Sequence, residues 1–99
     1  MVLNKTIASK TASYLLQINA IKLNIQNPYK WSSGWNSPIY CDNRICLSFP
    51  KIRDFLANSI ADEIKKNVSN NFIIAGVATG AIGIGMLVAN KLNAPFIYV

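Results

Sequence analysis

The residues with the clearest chemical potential are Gly76-Val77-Ala78-Thr79-Gly80. They follow a short apolar run, Phe72-Ile73-Ile74-Ala75, and precede an Ala/Gly/Leu segment. A turn between a buried strand and a helix N-terminus leaves backbone N–H groups pointing outward, which makes it a natural anion site. A second cluster lies earlier. Tyr29-Lys30-Trp31-Ser32-Ser33-Gly34-Trp35-Asn36-Ser37-Pro38 leads into Ile39-Tyr40-Cys41-Asp42 and ends at Asn43-Arg44. An aromatic ring with an arginine nearby can receive a planar anionic ligand under a lid or hood. A structural hairpin with packed aromatics satisfies the same pattern.

Composition closes off other chemistry. The chain has no histidine, so no imidazole acts as acid or base. Its two cysteines, Cys41 and Cys46, have no second pair and no histidine to complete a zinc site, and reduced thiols are expected. The glycine turn lacks the Gly-Lys-Ser/Thr of a Walker loop. It also lacks the G-x-G-x-x-G spacing and the later acidic residue of a dinucleotide fingerprint. The net charge is +6, and residues 1–41 carry Lys5, Lys10, Lys22 and Lys30 with no acid. That bias suits an anionic partner, and it equally suits a lysine-rich solvated surface. No cationic cluster is denser than Lys65-Lys66 and no RNA-binding aromatic motif occurs, so no nucleic-acid partner is expected.

These residues need elements to position them. With 99 residues, 52% of them hydrophobic, the chain can build one domain with a modest core. Residues 4–18 place Ile7, Ala8, Leu15, Leu16 and Ile18 at roughly helical spacing, with Tyr14 able to join that face. Ala20-Ile21-Lys22-Leu23-Asn24 alternates as a short strand, and Asn27-Pro28 breaks it. Ser48-Phe49-Pro50 reads as a helix start, with the Ser48 hydroxyl as cap and proline in the first turn. Ile52, Phe55, Leu56, Ile60 and Ile64 then form an apolar stripe, and Asp54, Asp62, Glu63, Lys65 and Lys66 occupy the solvated side. From Phe72 onward the order strand, turn, helix, strand has the size of a βαβ unit, with Phe96-Ile97-Tyr98-Val99 as the second strand.

Residues 72–89 contain no charge, which also meets the length test for a membrane helix. Gly, Thr and Ala at its centre lower its hydrophobicity, and the neighbouring elements suit a soluble α/β layer. No membrane partner is therefore expected.

Trp31-Ser32-Ser33-Gly34, Ser37-Pro38-Ile39-Tyr40-Cys41-Asp42-Asn43-Arg44 and Leu47-Ser48-Phe49-Pro50 closely resemble the N-terminal half of orotate phosphoribosyltransferases. Ile74-Ala75-Gly76-Val77-Ala78-Thr79-Gly80-Ala81-Ile82 and Leu92-Asn93-Ala94-Pro95-Phe96-Ile97-Tyr98-Val99 extend the resemblance in the same order. It implies an α/β protein: an N-terminal helix and hood-like β-hairpin (1–47) leading into the first half of a parallel-sheet, type I phosphoribosyltransferase core (48–99), within one partial domain. It also implies a reaction in which orotate displaces pyrophosphate from phosphoribosyl pyrophosphate, with Mg2+ held mainly through the substrate phosphates. By the family pattern Tyr40, Cys41, Asp42 and Arg44 are orotate-side residues. Ser32, Ala78, Thr79, Gly80 and Ala81 fall on the phosphoribosyl pyrophosphate side. Some relatives carry lysine at the position of Ser32 and Tyr-Lys at Thr79-Gly80, and those cationic contacts are absent here.

The resemblance further implies a cytoplasmic homodimer in full-length form. The family's mobile catalytic loop, its acidic-pair phosphate motif and its orotate-pairing arginine all fall after the position of Val99. The chain thus reads as a fragment with no catalytic residue of its own. The competing readings are a non-catalytic binding or regulatory module of the same fold and a small membrane protein spanning 72–89.

Overall fold

Asn4 opens the first helix: its side-chain oxygen accepts a hydrogen bond from the Ile7 N–H at 3.0 Å, satisfying one of the unpaired donors of the first turn. The helix, α1, runs Lys5–Gln17, as the spacing predicts, although none of its residues is fully buried. These coordinates are a computed structural model that describes residues 2–99. The chain forms two compact units, the first ending at Ile45 and the second running Cys46–Val99.

In the first unit α1 is followed by β1 (Ile21–Leu23), β2 (Tyr29–Lys30), β3 (Asn36–Ser37) and β4 (Ile39–Cys41). β1 pairs antiparallel with β4, placing Lys22 opposite Tyr40 and Leu23 opposite Ile39. The segment 29–38 is more than the aromatic loop read from the sequence. β2 and β3 pair inside the outer hairpin, Tyr29 opposite Ser37 and Lys30 opposite Asn36. The Trp31 N–H bonds the Trp35 carbonyl at 2.8 Å, and the Gly34 N–H bonds the Trp31 carbonyl at 2.8 Å. Gly34 sits at φ +91°, a conformation that costs glycine little and a side-chain-bearing residue much. The Trp31 indole N–H donates to the Ile39 carbonyl at 3.0 Å, tying the inner hairpin to the outer one.

A 3-10 turn over Asn43–Ser48 leads into the second unit, which contains α2 (Pro50–Asn67), β5 (Ile74–Gly76), α3 (Ile82–Leu92) and β6 (Phe96–Tyr98). Ser48 does not cap α2, contrary to expectation. Phe49 is the junction residue, extended at φ −115° and ψ 97°, with no side-chain cap bond. Pro50, with φ already preset, takes the first helical position, so the Ser48 hydroxyl lies one residue too early to serve the first-turn N–H groups. The apolar stripe also differs. Ile52 is buried, but the core positions of α2 facing α3 are Ala57 and Ala61, and Ile60 is 41% exposed. Ala57, Ala61 and Val88 form the buried cluster, with Ile64, Ile74, Ile84, Leu87 and Leu92 packed around it. Asp54, on the outer side of α2, pairs with Lys91 of α3 at 2.7 Å, and this partner holds its carboxyl below the usual aspartate range.

β5 and β6 pair in parallel, Ile74 opposite Phe96 and Gly76 opposite Tyr98, with α3 as the crossover. Asn93 closes α3 in the left-handed conformation, φ 50°. The uncharged run 72–89 is therefore divided between a strand, a turn and part of a helix. No helix among the described residues is long and apolar enough to cross a membrane, which overturns the single-span reading.

Candidate functional site

The glycine turn lies at the carboxyl end of β5, where β5 hands over to α3. Gly76 fixes its entry. A Cβ there would stand 2.7 Å from the Ala81 carbonyl oxygen and 3.2 Å from Phe96 Cε2, so only glycine lets strand and helix approach this closely. The Ala78–Thr79 peptide is cis. Of the four predicted phosphate-side residues that lie in this turn, Ala78, Thr79, Gly80 and Ala81, two have their amides committed inside the fold. The Ala78 N–H donates to the Val99 carbonyl at 2.7 Å, and the Ala81 N–H to the Val77 carbonyl at 3.0 Å. Among the described residues no backbone bond uses the N–H of Thr79 or Gly80, and both residues are exposed. A Cβ on Gly80 would meet nothing within 4 Å. The turn therefore has a fixed frame, through Gly76, Ala78 and Ala81, and two open backbone donors, at Thr79 and Gly80.

In the first unit the predicted hood residues fall on and just after β4. Successive side chains of a strand point to opposite faces, so Tyr40 and Asp42 share one face and Cys41 takes the other. A single ligand can meet the side chains of one face only. Lys22, which the sequence marks only as one of four scattered lysines, lies directly across from Tyr40 and joins its face; the strand register is what reveals this. The Tyr29 and Tyr40 rings lie 5.8 Å apart, centroid to centroid, at 38°. Asp42 grips Arg44 along one edge, with Nε donating to Oδ1 at 2.8 Å and Nη2 donating to Oδ2 at 2.9 Å. The Arg44 backbone N–H adds a bond to Oδ1 at 3.1 Å. The Arg44 guanidinium pulls the Asp42 carboxyl below its ordinary 3.8, with Lys22 a minor contributor. Asp42 in turn raises Arg44, and Tyr40 adds a smaller contribution in the same direction. Cys41 is exposed, and its thiol lies 3.2 Å from the Asn43 side-chain oxygen. Ser32 is exposed at the tip of the inner hairpin.

A short antiparallel hood and a βαβ unit with a small-residue turn after its first strand match the early part of the α/β type I phosphoribosyltransferase fold, and solved structures share this fold. The chain superposes on Leishmania donovani UMP synthase with a TM-score of 0.78 at 24% identity, covering 96% of this chain and 20% of that one. It superposes on the orotate phosphoribosyltransferase of Aeropyrum pernix with a TM-score of 0.77 at 24% identity, covering 90% of this chain and 52% of that one. Adenine phosphoribosyltransferase of Trypanosoma brucei shares the fold at a TM-score of 0.64 and 14% identity, over 99% of this chain and 38% of that one. Within that class the sequence is similar to orotate phosphoribosyltransferases in particular. It is 50% identical over 95 residues to the enzyme of Porphyromonas gingivalis, covering 96% of this chain and 45% of the relative. It is 53% identical over 88 residues to that of Bacteroides thetaiotaomicron, covering 89% of this chain and 42% of the relative. The resemblance carried by the SPIYCDNR and IAGVATGAI segments thus extends along nearly the whole chain. The chain spans less than half the length of these curated relatives. No family model matches it.

Proposed function

We propose that this chain is the N-terminal portion of an orotate phosphoribosyltransferase. In that role it supplies the orotate-side hood and the turn that receives the pyrophosphate group of phosphoribosyl pyrophosphate. The observation that carries the reading is the pair of open backbone donors at Thr79 and Gly80, held at a strand's carboxyl end by committed neighbours. Orotate attacks the anomeric carbon of the ribose, a carbon–nitrogen bond forms, and the carbon–oxygen bond to pyrophosphate breaks with its electron pair leaving on the phosphate oxygen. Fixed donors facing those oxygens stabilise the charge that develops there without reorganising. Small residues at 78–81 keep side chains out of the way.

The same reading assigns Tyr40 and Arg44 to the orotate side and Ser32 to the phosphoribosyl side. It assigns no residue of this chain a catalytic step. Mg2+ belongs to the reading as an ion brought by the substrate phosphates, where it would neutralise the leaving group. The described residues contain no group of three or more His, Cys, Asp or Glu side chains that could hold a metal, so no protein ligand is assigned to it. A cytoplasmic, homodimeric full-length protein completes the proposal.

The test is a titration of the isotopically labelled 99-residue chain with pyrophosphate, followed by amide NMR. The Thr79 and Gly80 amides move first and furthest. Gly80→Val abolishes those shifts while changing stability by no more than about 0.5 kcal/mol, because the new side chain enters open space where the phosphate would lie. Turn amides that stay still at millimolar pyrophosphate would refute the reading.

A further inference from the structure

The Asp42–Arg44 pair has a directional consequence. A guanidinium has five N–H groups arranged as two usable forks, a side-on fork formed by Nε and Nη2 and an end-on fork formed by Nη1 and Nη2. Asp42 occupies the side-on fork completely, at 2.8 and 2.9 Å. Among the described residues the end-on fork makes no ion pair, the Tyr40 side chain is a polar neighbour of the guanidinium, and the Arg44 side chain is 55% exposed. Its base is fixed as well, because the Arg44 backbone N–H is held by the same carboxylate. An arginine on a flexible stem must be ordered before it can bind a ligand bidentately. Here that ordering is already done.

The surroundings define what the end-on fork can take. Tyr40 lies on the same strand face as Asp42 and close enough to Arg44 to act on it electrostatically. Lys22, opposite Tyr40, places a second cation on that face. Two cations against one carboxylate leave the face net positive. A flat ring with an end-on guanidinium fork beside it matches a planar heterocycle that bears a carboxylate, since the fork geometry fits two carboxylate oxygens.

We propose that Asp42 is a positioning residue, which holds Arg44 by its side-on edge so that the end-on fork receives the carboxylate of a planar ligand resting against Tyr40. This rests on the orotate-side reading of the hood and deepens it. Asp42 itself touches no ligand. A carboxylate offers about four lone-pair sites, so this contact leaves room for a second cationic partner.

The experiment measures dissociation constants of orotate, uracil and pyrophosphate for the 99-residue chain and for its Arg44→Gln and Asp42→Asn variants. Uracil is the same ring without the carboxylate. Arg44→Gln weakens orotate about tenfold, the scale of a lost charge-assisted pair, and leaves uracil and pyrophosphate unchanged. Asp42→Asn weakens orotate about threefold with the same selectivity, although the variant removes a negative charge from an anion site, a change that by charge alone would strengthen binding. Orotate and uracil weakened equally in Arg44→Gln would overturn the carboxylate contact. Unchanged or tighter orotate binding by Asp42→Asn would overturn the positioning role. A wild-type chain that binds pyrophosphate but not orotate overturns this inference alone, and one that binds neither overturns the functional reading beneath it.

Discussion

The first unit is held by hydrogen bonds between short antiparallel strands and leaves large apolar side chains in water, with Trp35 74% and Leu23 65% exposed. The second unit is held by apolar packing at close range: Ala57, Ala61 and Val88 are almost fully buried between α2 and α3, and Gly76 admits the helix to the strand. The difference matches their proposed tasks. Strands of two or three residues fix a few side chains on a face but bury little area, so the first unit can present Tyr40 and Arg44 without a core beneath them. The turn proposed to receive phosphate would have to hold backbone donors to a fraction of an ångström, and close-packed small residues supply that rigidity.

The largest effect that sharpens this contrast is expected from Gly76→Val. The new side chain would collide with the Ala81 carbonyl, a backbone group that cannot swing away. Overpacking of this kind costs about 3 kcal/mol. Amide NMR of the variant should show the second unit losing its dispersion while the antiparallel signals of the first unit persist. Simultaneous loss of both would break the contrast and make the chain one cooperative body. A smaller effect, confined to the first unit, follows from Asn4→Ala. Loss of the cap to the Ile7 N–H should weaken α1 by about 1 kcal/mol, read as faster amide exchange in its first turn.

The smallest effect concerns acid. Because Arg44 depresses the Asp42 pKa in the folded state, the pair contributes stability above pH 3.8, and that contribution is lost as the pH falls through the lower folded-state value. Both groups are solvent-accessible, so the stability at stake is small. A carboxyl-carbon NMR titration should place the Asp42 midpoint below 3.8 and move it back toward that value in Arg44→Gln. An unchanged midpoint in the variant would show that the pair is not formed in solution.

What could be read from the sequence follows from the range over which each feature is encoded. α2 and the βαβ order were legible because periodicity and glycine placement are local signals. The inner β2–β3 hairpin was not, since two-residue strands carry no alternation to detect. Ala57 and Ala61 were passed over for larger neighbours, yet their small size is what brings α2 against α3. Composition placed the turn between a strand and a helix, where the structure has it. Which of its amides are open depends on Val99, some twenty residues away, whose carbonyl takes the Ala78 N–H. The sequence marks both Asp42 and Arg44 as hood residues, but their mutual grip, on which the proposed division into ligand contact and support rests, appears only in three dimensions.

Phe96 Cε2 would stand 2.9 Å from a Cβ on Gly85 and 3.2 Å from one on Gly76, so the glycine α-protons occupy the space beside the aromatic ring. Protons so placed feel the ring's magnetic anisotropy and resonate away from the positions typical of glycine. The contact that closes strand, turn and helix together thus carries its own spectroscopic signature. Two glycine signals report, without any label or ligand, whether the frame of the glycine turn is assembled.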